Sequence, residues 1–223
     1  MYRLLFTTGF VAAGMLGACK DRGAAPPNQT PSVEAIAQTP AAAIGANPSA
    51  AAPGDPSEAG PTIDHKVRML DGKDASLSDW RGHTLLIVNT ASECGLTPQY
   101  EELEALYQRY SGRGLVVMGF PSNDFGGQEP GDSKQIGEFV AKTFGITFPM
   151  FDKQVVKGAN KSPLYKTLTE GLSPTLRGEI KWNFEKFLVG PDGKVIARFA
   201  PKTTPLDPAV TAAIEANLPP PAK

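Results

Sequence analysis

The amino-acid sequence predicts an α/β fold with a mixed central sheet flanked by helices on both faces. Three observations carry this. Leu85-Leu86-Ile87-Val88 before Asn89, and Leu115-Val116-Val117-Met118-Gly119-Phe120, are short, unbroken apolar runs of the kind found in strands covered on both sides. Between them lies one segment with apolar residues at spacings of three and four, so the two strands are parallel and joined by a right-handed helical crossover. Near the C-terminus, two apolar segments flank Pro191-Asp192-Gly193, the signature of an antiparallel hairpin.

In chain order, Val67 to Leu77 reads as a hairpin turning at Asp71-Gly72. The run ending at Asn89 is the first central strand. Pro98 suits the first turn of a helix, whose apolar side is Tyr100, Leu103, Leu106, Tyr107 and Tyr110; Gly112 and Gly114 end it. The second central strand covers Leu115 to Phe120. Asp132 and Gln135 stand at the cap and third positions of a capping box, and Ile136, Phe139, Val140 and Phe144 form the apolar face behind it. Phe148 to Phe151 is a candidate short strand. Phe184 to Val189 and Lys194 to Phe199 form the hairpin, and Asp207-Pro208 opens a last helix with Val210, Ala213, Ile214 and Leu218 on one side. This order of elements is the thioredoxin-like arrangement.

Composition divides the chain before this fold begins. Residues 1–18 carry one cation, Arg3, then an apolar run and small residues, which is the layout of an export signal. The run falls short of the about 20 apolar residues of a comfortable membrane span. Leu16-Gly17-Ala18-Cys19 resembles a bacterial lipobox, so Cys19 is the expected lipidation site and the protein is expected to be an exported, membrane-anchored lipoprotein facing the periplasm. Lys20 follows it, so an aspartate retention signal directly after Cys19 is missing, and either membrane is left as the anchor's destination. Residues 19–60, rich in Ala and Pro and poor in large apolar residues, cannot offset the entropy of ordering and read as a tether. The folded domain is expected at 61–218, followed by a tail at 219–223. A formal net charge of -1 argues against a nucleic-acid partner.

Cys94 is the one cysteine left to the folded part once Cys19 is assigned to the anchor. An unpaired thiol in an exported domain is either inert and buried or reactive. Cys94 lies between the first central strand and the helix beginning near Thr97 or Pro98, where free backbone N–H groups and the helix dipole favour thiolate. Thioredoxins carry Cys-x-x-Cys at such a junction; here the fourth position is Thr97, which removes dithiol exchange within the motif. His65 and His83 both precede the strand leading to Cys94, so a Cys/His metal cluster is poorly supported. A thioredoxin-like binding or metal-delivery lipoprotein, with Met118 and Met150 as further soft ligands, and a thiol–disulfide oxidoreductase working through mixed disulfides are the alternative classes.

Three long motifs resemble the glutathione peroxidase family in order and in context. They are Asn89 to Tyr100 around Cys94, Gly119 to Gly131 around Gln128, and Lys181 to Val189 around Trp182-Asn183. The resemblance spans about 62–218. It implies a catalytic tetrad of Cys94, Gln128, Trp182 and Asn183, in which two amides and an indole N–H serve a sulfur nucleophile, with no metal and no bound cofactor. Cys94 places the chain in the sulfur rather than the selenium branch. Sulfur members often carry further cysteines where this chain has Ser122 and Val140. Without them an external thiol, glutathione or a thioredoxin-like protein, must reduce the oxidised Cys94. The stretch Gly171–Lys181 is short, so the oligomer-forming loop of tetrameric members is missing and a monomer is expected.

Overall fold

The computed structural model describes residues 61–220; the proposed signal, Cys19, the whole tether and the end of the tail lie outside the described residues. Strand β1 (Lys66–Arg68) pairs antiparallel with β2 (Asp74–Ser76) across the turn at Asp71-Gly72, where Gly72 takes a φ of 84°. A capped 3₁₀ turn, Leu77–Trp80, follows. Strand β3 (Thr84–Thr90) is buried at every position, its apolar run Leu85–Val88 flanked by the buried polar Thr84, Asn89 and Thr90. Helix α1 (Gln99–Tyr110) buries Tyr100, Leu103, Leu106 and Tyr110.

A single 3₁₀ turn at Ser111–Arg113 and the left-handed Gly114 end that helix and return the chain to β4 (Leu115–Pro121). Gly114 has a second reason to lack a side chain: a Cβ there would lie 2.3 Å from the ring of Pro219, in the tail. Strand β4 lies parallel to β3 with Ile87 opposite Met118. Helix α2 (Ser133–Phe144) starts in the expected capping box, Asp132 Oδ1 accepting from Gln135 N and Gln135 Oε1 accepting from Asp132 N. Helix α3 (Pro163–Glu170), strands β5 (Lys186–Val189) and β6 (Val195–Phe199), and helix α4 (Pro208–Asn217), capped by Asp207, complete the fold.

The main sheet has the order β4-β3-β5-β6, with β5 antiparallel to both neighbours. It is the mixed sheet that the sequence predicts. Alternate residues of β3 feed two cores. Leu86 and Val88 pack with α1, α2 and α4; Leu85 and Ile87 pack with α3 and with β1 and its turn. Helices therefore do cover both faces, and α3 supplies the second. The sequence reading passed over α3, although Ser162-Pro163 begins it and Leu164, Tyr165 and Leu168 form its buried side. At eight residues it is too short to show clear periodicity. Phe148–Phe151, read as a strand, makes two isolated bridges, Met69 to Phe151 and Gly119 to Met150, and is no strand. Its apolar residues are core filling: Phe148 and Met150 join one core, Phe151 the other.

Candidate active site

Parallel β3 and β4 end at one edge of the sheet, and antiparallel β5 begins there. Chain segments leaving or entering an α/β sheet at such an edge are where sites gather. The four residues singled out from sequence lie on these segments: Cys94 after β3, Gln128 after β4, and Trp182-Asn183 before β5.

Cys94 is 7 % exposed and a free thiol. Its loop is held by its own polar groups. Thr97 Oγ1 accepts from Cys94 N at 3.0 Å and donates to Ala91 O at 2.9 Å. Successive three-residue turns run from here into the helix, with Thr97 N donating to Cys94 O and Gln99 N to Leu96 O. The thiol thus stands at the head of a series of tight turns that opens into α1. Leu96 N donates to its Sγ at 3.4 Å, a backbone N–H of the kind that the helix-start argument invokes.

Gln128 follows Gly126-Gly127, both at φ 66°, and its backbone O accepts from Glu93 N at 2.9 Å. That bond ties the Gln128 loop to the residue before Cys94. Asn183 is wholly buried and donates from Nδ2 to Gln128 Oε1 at 2.9 Å, while its Oδ1 has no partner among the described residues. Trp182 is 41 % exposed, its ring 5.4 Å from the buried Phe125. None of the three donates to Sγ. Gln128 uses its oxygen on Asn183, which leaves the amide N–H donors of Gln128 and the indole N–H of Trp182 available to a bound molecule.

Asn89, which sequence reading takes only as the end of a strand, is the organiser of this edge. Its Nδ2 donates to Trp182 O at 3.0 Å, its Oδ1 accepts from Glu185 N at 3.1 Å, and its backbone O accepts from Phe184 N at 2.6 Å. It is wholly buried, and an asparagine at the end of an apolar run is a signal of such a role. Phe184 is the one non-glycine residue among those described with positive φ, 64°, a conformation that persists only where the surroundings enforce it.

Glu129 was also missed. It is fully buried, and neither carboxyl oxygen has a hydrogen-bond partner among the described residues. Burial pushes its carboxyl above the ordinary range, while Ser92 and Lys153 pull the other way. The folded state then holds a proton that the unfolded state has released, so this group's contribution to stability is full below its ordinary value of 4.5 and is lost as pH rises through the raised one. Glu129→Gln, similar in shape and always neutral, is therefore expected to gain on the native protein as pH rises, by about 1–3 kcal/mol at neutral pH. Chemical denaturation of both proteins between pH 4 and 8 measures this; parallel profiles would show that Glu129 titrates alike in the folded and unfolded states.

Among the described residues no group of three His, Cys, Asp or Glu side chains could hold a metal ion, and no helix is long and apolar enough to cross a membrane. A glutathione peroxidase family model matches residues 62–169. The glutathione peroxidase homolog BsaA of Halalkalibacterium halodurans is 47 % identical over 143 residues, 64 % of this chain and 91 % of that protein. The thioredoxin/glutathione peroxidase BtuE of Escherichia coli K12 is 44 % identical over 172 residues, 68 % of this chain and 94 % of that protein. The hydroperoxy fatty acid reductase gpx1 of Synechocystis is 53 % identical over 136 residues, 58 % and 80 % of the two. The apo crystal structure of Trgpx superposes with a TM-score of 0.57 at 37 % identity, covering 73 % of this chain and 99 % of that one. A secreted thiol-disulfide isomerase from Corynebacterium glutamicum, with a TM-score of 0.54 at 15 % identity, covers 78 % of this chain and 92 % of its own and shares the fold alone. With a thioredoxin-like sheet presenting one free cysteine, and with relatives matched over most of their own length, the chain belongs to the glutathione peroxidase family.

Proposed function

We propose that Cys94 is the reactive thiol of this peroxidase, and that hydrogen peroxide and organic or lipid hydroperoxides oxidise it to a sulfenic acid which an external thiol then resolves. The observation that carries this reading is the free Cys94 at the head of α1, on a loop bonded to the loop of Gln128, whose side chain is bonded in turn to Asn183. The thiolate attacks one peroxide oxygen, the S–O bond forms, and the O–O bond breaks. The leaving oxygen takes up the proton that the thiol lost and departs as water or alcohol. The N–H donors of Gln128, Trp182 and Asn183 stabilise the charge growing on that oxygen. An incoming thiol then displaces water from the sulfenic sulfur to give a mixed disulfide. A second thiol releases Cys94 and carries away a disulfide.

Cys94 is the one free cysteine among the described residues, so it has no partner there for an internal disulfide. Resolution falls to glutathione or to a thioredoxin-like protein, and a relative named for both supports either donor. A relative named for hydroperoxy fatty acids supports lipid peroxides as substrates. In the same reading Cys19 carries a lipid anchor, residues 19–60 hold the domain off the bilayer, and the protein works as a periplasm-facing lipoprotein and a monomer. The chemistry runs on side chains and the external thiol, without a metal or bound cofactor.

One equivalent of peroxide, a sulfenic-acid trap and intact mass on the purified protein test the proposal. Rapid single trapping at Cys94 supports it, and a thiol that survives many minutes unmodified sinks it. Turnover with glutathione and with a thioredoxin system then assigns the reductant.

A further inference from the structure

We infer that Lys186 is a positioning residue for peroxide reduction, fixing the Trp182–Phe184 turn against the start of α1. Its side chain is wholly buried, on the face of the sheet that α1, α2 and α4 cover. In register it stands between Val88 of β3 and Phe199 of β6, two apolar residues. A methionine would suit that layer. Lys186 Nζ instead donates to three backbone carbonyls, Phe184 O at 2.8 Å, Thr203 O at 2.7 Å and Pro201 O at 3.4 Å, while burial lowers the pKa of the amine to about 7. Three acceptors match the three donors of an ammonium. Among the described residues no carboxylate lies within ion-pair distance of it.

The choice of carbonyls is informative. Phe184 is the residue held at positive φ, and it follows Trp182 and Asn183 directly. Pro201 O also accepts from Gln99 Nε2 at 2.8 Å, and Gln99 is the first residue of α1, five positions after Cys94. The two halves of the site thus meet at one carbonyl, approached by Gln99 from the Cys94 side and by Lys186 from the Asn183 side. Asn89 and Glu185 hold the same turn from elsewhere: Asn89 through Trp182 O, and Glu185 by accepting from Lys181 N at 2.7 Å and from Arg198 Nε at 2.6 Å. Lys186 alone reaches the carbonyl that α1 shares. A buried charged group is weak support for stability, since a well-packed apolar residue of similar volume often serves as well. Its value here lies in geometry, where a misplacement of about 1 Å costs roughly a hundredfold in rate.

This inference rests on Cys94 being the thiol that peroxide oxidises. The experiment compares native protein, Lys186→Met, Gln99→Leu, Asn183→Ala and the Lys186→Met/Asn183→Ala double variant. Each is checked for folding by melting temperature and for the second-order rate constant of Cys94 sulfenate formation. The expected result is a folded Lys186→Met whose rate constant falls roughly ten- to hundredfold, a Gln99→Leu that falls in the same direction, and a double variant little slower than Asn183→Ala alone. A folded Lys186→Met that oxidises at the native rate, whatever its melting temperature, overturns the inference, as does a double variant in which the two losses multiply in full. Should Lys186→Met fail to fold, Gln99→Leu decides the matter, a native rate overturning the inference and a slowed one upholding it. If native Cys94 itself forms no sulfenate, the assignment of Cys94 fails first, and that outcome is distinct from all of these.

Discussion

Cys94→Ser is expected to lower peroxide reduction by roughly 10³-fold or more while leaving the fold intact. A serine hydroxyl is not ionised at neutral pH, whereas a thiol reaches the anionic, nucleophilic form far more readily. The substitution is nearly isosteric. The loop that carries residue 94 is held by Thr97, through Cys94 N and Ala91 O, and by Glu93 N on Gln128 O; none of these bonds uses the sulfur. The bond lost is the one from Leu96 N to Sγ, and a serine oxygen can accept in its place. Melting temperature should therefore stay close to native while turnover with either glutathione or a thioredoxin system disappears. Retained turnover in Cys94→Ser would remove sulfur from the mechanism and force a search elsewhere on the same edge.

Most of the frame is written locally in the chain. Strands β3 and β4 are built on unbroken apolar runs, the Asp132/Gln135 box announces α2, and Asp207-Pro208 announces α4; each signal sits within a few residues of what it specifies. The turns at Asp71-Gly72 and Pro191-Asp192-Gly193 are equally local. Helix α3 hid because eight residues give barely two turns of periodicity. The site was legible only in part, and for a different reason. Cys94 is read from its place between strand and helix. The roles of Asn89, Glu129 and Lys186 depend on partners remote in sequence, such as Trp182 O for Asn89, 93 residues away. Lys186 in a run of Phe, Leu and Val looks like an edge charge until the register sets Val88 and Phe199 on either side of it. Burial of a polar group is a property of the assembled fold, and no short window of sequence contains it.

Asn183→Ala is expected to slow sulfenate formation by roughly 10²–10³-fold, the effect of removing one preorganised polar partner from a site where charge develops. Asn183 Nδ2 holds Gln128 Oε1, which fixes the direction in which the N–H donors of Gln128 point. Its own Oδ1 is buried and has no hydrogen-bond partner among the described residues. Alanine removes the bond to Gln128 Oε1 and the amide N–H donors of residue 183, so Gln128 loses its orientation. The stability cost is expected to stay near about 1–2 kcal/mol, because one hydrogen bond is lost and Gln128 is only half-buried and can turn to water. Hydrogen peroxide and a bulky alkyl hydroperoxide should slow by similar factors, since the affected oxygen is common to both. Asn183→Asp keeps the shape but places a buried anion beside the oxygen on which negative charge grows, so it should be at least as slow as alanine despite retaining hydrogen-bond acceptors. Stopped-flow oxidation of each variant with both peroxides separates the possibilities. If Asn183→Ala loses several degrees of melting temperature and still oxidises at the native rate, Asn183 is a structural residue of the turn, and Gln128 and Trp182 would have to stabilise the leaving oxygen without it.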